Sequence, residues 1–330
     1  ISMRYSLLSQ FHGTLLGAVL GDCFARGDKL RDRGDGSVVK NEEIADKSVE
    51  KYPLEKSRVL FLSTESIITC RGFYRKHWRE SINKVNREEI SLSEGIWQIL
   101  PIIIFYHENE IKLTEILQEI ISDSEGEEKD NPNPISLGEG KIGLLGIGYT
   151  IAQLLKQPKE LSNLIPQTID YLNSDCLLVE LLELVQNLIK QGASLENARH
   201  ELGQKVKVSP AIVAREGKGI NREKRLIHHI ALGMYCFLSS PQDFRLAVTR
   251  AIPTRGEDSL MTTLTGIFGG SYNSSISIPV EWYSLLNSIS HEEKIRELAR
   301  NLYAIWSGRN DPQEQLSPHC LNVIPGIYRD

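Results

Sequence analysis

The chain has 330 residues, is 41% hydrophobic and 25% charged, and carries a formal net charge of −5. That length supports a sizeable core in one large domain or two smaller ones, and so mild an acidic balance gives no reason to expect nucleic acid or an anionic membrane as partner. The five cysteines show no CxxC spacing, and no apolar run approaches the roughly 18 residues of a membrane helix, so we expect reduced thiols and a cytoplasmic protein.

Residues 5–20 predict the first helix. Gly13, Gly17 and Gly21 recur every four residues and so share one face. A helical glycine costs about 1 kcal/mol against alanine. A row of three is therefore expected where another backbone comes close. Residues 26–57 are rich in charge and glycine and read as a surface loop or insertion. Residues 123–140 read as a second loop, with an acidic start and two prolines. The longest apolar run, residues 99–106, contains Pro101.

Dense apolar residues at helical spacing predict helices over 144–155 and 177–189. Pro210 after Ser209 marks another helix start, because proline is favoured at the first helical position. Residues 228–238 read as a buried helix. Ser290 and Glu293 form a capping box ahead of an apolar face of Ile295, Leu298, Leu302 and Ile305. Strand signals are short and scattered, and no internal repeat is visible. The expected fold is a single compact all-α domain over residues 3–330, with roughly a dozen helices.

Two acidic segments are candidates for chemistry. Ser63-Thr64-Glu65-Ser66 offers three hydroxyls and a carboxylate, hard oxygen donors of the kind that suit Mg²⁺, Mn²⁺ or Ca²⁺. The same residues suit a helix N-cap. Glu257-Asp258-Ser259 pairs two carboxylates, whose repulsion a cation would relieve, although acids at a helix start also serve the helix dipole. Gly266 and Gly270 follow on the next helix, with the spacing of the first glycine row. Close packing of the two rows would bring the separate segments together.

Three weaker signals remain. Arg71, Arg75, Lys76 and Arg79 alternate with Phe73, Tyr74, His77 and Trp78, which suits an anion or partner surface or an amphipathic helix. Arg215, Lys218, Arg222, Lys224 and Arg225, with Gly217 and Gly219, read as a basic surface loop. His228 and His229 sit on an apolar helix with no other clustered ligands.

The order of these segments resembles the ADP-ribosylglycohydrolase family, including its dinitrogen reductase-activating glycohydrolase branch. That family has a first helix ending in Gly-Asp, matched by Gly21-Asp22. It has a Thr-Asp-Asp-Thr motif after a variable loop, where this chain has Ser63-Thr64-Glu65-Ser66. It closes with Gly-Asp-x-Asp-Thr, a small-residue helix and Ile-Pro-x-x-Trp. Here these are Gly256-Glu257-Asp258-Ser259-Leu260, the Gly266 to Gly270 segment, and Ile278-Pro279-Val280-Glu281-Trp282. The resemblance implies an all-α fold and a cleft for an ADP-ribose-like ligand, with two Mg²⁺ ions on those motifs.

The departures fall on the metal ligands. Ser63 keeps a hydroxyl and Glu65 a carboxylate, while Thr64 replaces a carboxylate. Glu257 keeps a carboxylate, Ser259 replaces another, Leu260 replaces the threonine, and Asp258 serves only after a one-residue slip. Ile96 to Pro101 keeps the proline of a further family block and lacks its arginine. What the resemblance implies here is a metal set of Ser63, Glu65, Glu257 and Asp258, and a ligand set of Gly21, Asp22, Thr64 and Ser259, with Glu65 as the catalytic carboxylate. Half of the charge that would hold two dications is gone, and Mg²⁺ tolerates poor geometry badly. The expected cofactor is therefore none, or a weakly held Mg²⁺. The expected protein is a catalytically impaired scaffold that binds a protein partner or an ADP-ribose-like ligand. A hydrolase with a reduced one-metal site and a metal-free nucleotide binder are the alternatives.

Overall fold

The computed structural model describes residues 5–31, 55–85, 92–123, 138–206, 210–252, 260–287 and 292–308. Fourteen α-helices and two short 3-10 turns make up these residues, with no strand among them. The all-α expectation holds for the described chain.

Two helices form the centre. The first, α1 (Leu7–Arg31), packs along α12 (Leu260–Asn273). Every residue of α12 except Tyr272 is buried. A helix apolar or small on all sides belongs inside a protein, and this one has no polar face to offer water. The glycine rows meet in antiparallel register. A methyl group built on Gly17 would lie 2.1 Å from the Gly266 carbonyl oxygen, and one on Gly266 would lie 2.2 Å from the Gly17 oxygen. Gly13 and Gly270 stand in the same relation, as do Gly21 and the backbone of Thr262. The four-residue spacing read from the sequence thus has its cause: no side chain fits between these backbones.

Polar groups along the seam are satisfied by each other. Gln10 Nε2 donates to the Ser271 carbonyl at 2.7 Å, and Thr14 Oγ1 lies 3.0 Å from Ser271 Oγ. Thr262 Oγ1 donates to the Ala251 carbonyl at 2.7 Å. A buried hydroxyl without such a bond would cost about 1–3 kcal/mol.

The other helices wrap this pair. On one side lie α2 (Glu55–Cys70), α3 (Arg75–Ile82), α4 (Leu92–Tyr106) and α5 (Glu110–Asp123). On the other, α6 (Glu139–Leu155) and α10 (Pro210–Leu238) contact α12, and α7 (Leu164–Leu172), α8 (Leu177–Lys190) and α9 (Leu195–Val206) pack outside them. Next in the chain are α11 (Phe244–Arg250), α13 (Val280–Asn287) and α14 (Glu292–Trp306). In α8, Leu178, Leu181, Leu182, Val185 and Leu188 form the buried stripe expected of an amphipathic helix. Pro101 lies inside α4 without ending it.

Four expectations change. Residues 26–31 continue α1 and residues 55–57 open α2, so both ends of the expected 26–57 loop are helical; the stretch between lies outside the described residues. The second expected loop, 123–140, has Asp123 ending α5 and Glu139 opening α6, and most of the rest lies outside the described residues. The basic run from Arg215 to Arg225 is helical, inside α10, despite its two glycines. Arginine, lysine, glutamate and alanine are good helix formers, and the buried Leu226, Ile227 and Ile230 anchor the helix just beyond. Cys23, Cys176 and Cys236 form no disulfide, whereas Cys70 is disulfide-bonded, against the expectation of thiols throughout. No helix among the described residues is long and apolar enough to cross a membrane.

Candidate functional site

The Ser63 to Ser66 segment lies in the middle of α2, more than two turns from its start. It is therefore not an N-cap. Residues two apart on a helix point to different sides, because each step turns the side chain by about 100°. Ser63 is fully buried toward α3 and α4. Its hydroxyl donates to the Gln98 carbonyl at 2.6 Å and accepts from Trp78 Nε1 at 2.9 Å. Thr64 is also fully buried, and its hydroxyl donates to the Leu60 carbonyl one turn back, at 2.7 Å. Ser66 shares the Ser63 side and lies 2.8 Å from His77 Nδ1.

Glu65 points elsewhere, toward α14. Its carboxylate is half-exposed and meets the Lys294 ammonium at 2.8 Å. That hydrogen bond, with the carboxylate's charge, holds the Lys294 ammonium above its ordinary pKa. Asp22, at the far end of the α1 glycine row, is buried and faces the Lys56 ammonium at 3.2 Å. Gly21 beside it contributes only close approach to Thr262. Each described acid of the candidate set thus has a lysine beside it. Neither lysine carries a sequence signal, because a counter-ion brought in from another helix leaves no local pattern.

The described members of the set, Ser63 and Glu65, do not fit one dication. Ser63 and Glu65 leave α2 on different sides and do not converge on one ion. The Ser63 and Thr64 hydroxyls are engaged in the core. A dication approaching Glu65 also meets the Lys294 charge, a repulsion of about 2 kcal/mol at 4 Å even at the dielectric of water. Among the described residues, no group of three or more His, Cys, Asp or Glu side chains could hold a metal. Glu257, Asp258 and Ser259 lie outside the described residues.

The motif aromatic Trp282 of α13 is buried against α1 and α11. Its ring centre is 4.3 Å from Phe24 and 5.9 Å from Phe244, and the Arg245 guanidinium sits over it at 5.9 Å. The basic-aromatic stretch becomes an amphipathic helix, α3, only from Arg75; Arg71, Phe73 and Tyr74 precede it. Trp78 is buried, Lys76 and Arg79 are exposed, and Arg75 pairs with Glu119 at 3.2 Å. His228 and His229 lie side by side on α10, with ring centres 5.9 Å apart.

The fold and site define a multi-helix all-α protein with a glycine-apposed central pair and lysine-paired acids. No protein-family model matches the chain, and no curated protein matches it.

Proposed function

We propose that this chain is an ADP-ribosylglycohydrolase-like protein that keeps the scaffold, is catalytically impaired, and acts by binding a protein partner or an ADP-ribose-like ligand. The observation that carries the reading is the split between scaffold and site. The glycine seam joins α1, which carries Gly21-Asp22, to α12, which follows Glu257-Asp258-Ser259 in the sequence. The described acids and hydroxyls of the candidate set are taken up by lysines and core carbonyls.

Calorimetric titration of the EDTA-stripped protein with Mg²⁺ and Mn²⁺, with and without ADP-ribose, tests the reading. The expected result is no metal-dependent heat and no metal-dependent rise in melting temperature. Binding of ADP-ribose in EDTA would identify it as the ligand of the scaffold. Mg²⁺-dependent release of ADP-ribose from a modified substrate, lost in Glu65→Gln, would overturn the proposal and restore the one-metal hydrolase.

A further inference from the structure

We propose that Tyr149 of α6 and Tyr171 of α7 form an oxidative modification site, at which a small one-electron oxidant joins the two rings as dityrosine and staples the helices together. The inference does not depend on the functional reading above.

The two rings lie face to face, with centres 4.3 Å apart and planes inclined by only 14°. Among the described residues no other two tyrosine rings are stacked. The pair is held from both sides. In the buried seam between the two helices, Thr150 Oγ1 lies 3.3 Å from Thr168 Oγ1. Gly146, three residues before Tyr149, leaves room for the side chain next to Tyr171: a methyl built there would lie 3.5 Å from Leu172 Cδ1. Two reactants fixed at contact distance need no encounter, so coupling between them outruns coupling between separate tyrosines.

The phenol end of the pair faces the start of α5. The Thr114 hydroxyl donates to the Glu110 carbonyl at 2.8 Å, so it accepts from the Tyr171 hydroxyl, also at 2.8 Å. Thr114 is half-buried and Glu110 exposed, which puts the Tyr171 hydroxyl at the rim of the protein. An oxidant the size of a carbonate radical can approach there. Burial is the largest cause of a raised pKa for both phenols. Both therefore enter the reaction neutral, and each loses a proton with its electron.

The chemistry needs two equivalents of oxidant. Each phenol gives one electron to the oxidant and one proton to solvent. The two phenoxyl radicals then form one C–C bond between Cε carbons, ortho to the hydroxyls. The hydrogen on each of these carbons shifts to oxygen and restores a phenol. Two tyrosines thus become one dityrosine with the loss of two protons and two electrons, while two carbonate radicals become carbonate. The molecule already holds an oxidative cross-link at Cys70, the last residue of α2. The tyrosine staple would join a different pair of helices.

Photo-oxidation of the dilute full chain with tris(bipyridyl)ruthenium and persulfate, followed by digestion and mass spectrometry, tests this. The expected main dityrosine product is a peptide pair linked through Tyr149 and Tyr171, two hydrogens lighter than its parts. Its yield should fall about tenfold or more in urea, where the rings are no longer held together. Tyr149→Phe and Tyr171→Phe keep the ring and remove the phenol, so each should abolish this product. If neither variant folds, the wild-type chain compared with and without urea decides. Dityrosine formed only at other pairs, a yield unchanged by urea, or no dityrosine at all would each overturn the proposal.

Discussion

Two glycine-bearing helices in this protein stand against different walls. On α1, the missing Cβ of Gly17 leaves room for a carbonyl of α12, 2.1 Å from where the methyl would sit. On α6, the missing Cβ of Gly148 leaves room for Leu117 Cδ1, at 2.6 Å, and that of Gly143 for Ile230 Cδ1, at 2.9 Å. By distance alone the sites look alike. They differ in what must move. A leucine methyl can rotate to another rotamer, whereas a carbonyl in a helix moves only with its helix. A glycine row therefore specifies helix position only where it meets backbone.

Substitutions can break or sharpen that contrast. The largest effect is expected for Gly266→Ala and Gly270→Ala, whose methyls would lie 2.2 and 2.0 Å from the Gly17 and Gly13 oxygens. Each should cost at least about 3 kcal/mol in urea denaturation, at the upper end of overpacking penalties. Ser63→Ala comes next, at about 1–3 kcal/mol, because it leaves the buried Trp78 Nε1 without its acceptor. Gly148→Ala should fall within about 1 kcal/mol of neutral, since Leu117 can yield and the helix gains propensity. Gly203→Ala, in α9 with nothing within 4 Å, should stabilise by about 0.5–1 kcal/mol. Glu65→Gln should change stability by about 1 kcal/mol or less, because its partner Lys294 is a half-exposed surface pair. A large loss at Glu65 would contradict the placement of that side chain at the surface.

Period is what made parts of this structure legible in the sequence. Gly13, Gly17 and Gly21 announce a face because four residues are nearly one turn. The apolar spacing of 177–189 likewise anticipates α8 almost to the residue. The N-cap reading of Ser63 to Ser66 fails because its helix begins upstream, beside a charged stretch that resembles loop. A mid-helix position turns a compact cluster of oxygen donors into residues facing different sides, and sequence proximity does not reveal that. The lysines that neutralise Asp22 and Glu65 come from other helices, so only folding brings them in. The basic run on α10 shows the reverse error, in which two glycines suggested a loop and neighbouring buried residues carried the helix through.

The backbone contact between α1 and α12 is tested most directly by a double-mutant cycle of Gly17→Ala with Gly266→Ala, followed by urea denaturation. Each methyl would meet the opposite carbonyl of the same contact, so the first substitution already forces the helices apart. The account predicts that each single change is strongly destabilising. It also predicts that the pair costs less than their sum by more than about 1 kcal/mol. Single changes that are neutral or stabilising, as expected for Gly203→Ala, would contradict it.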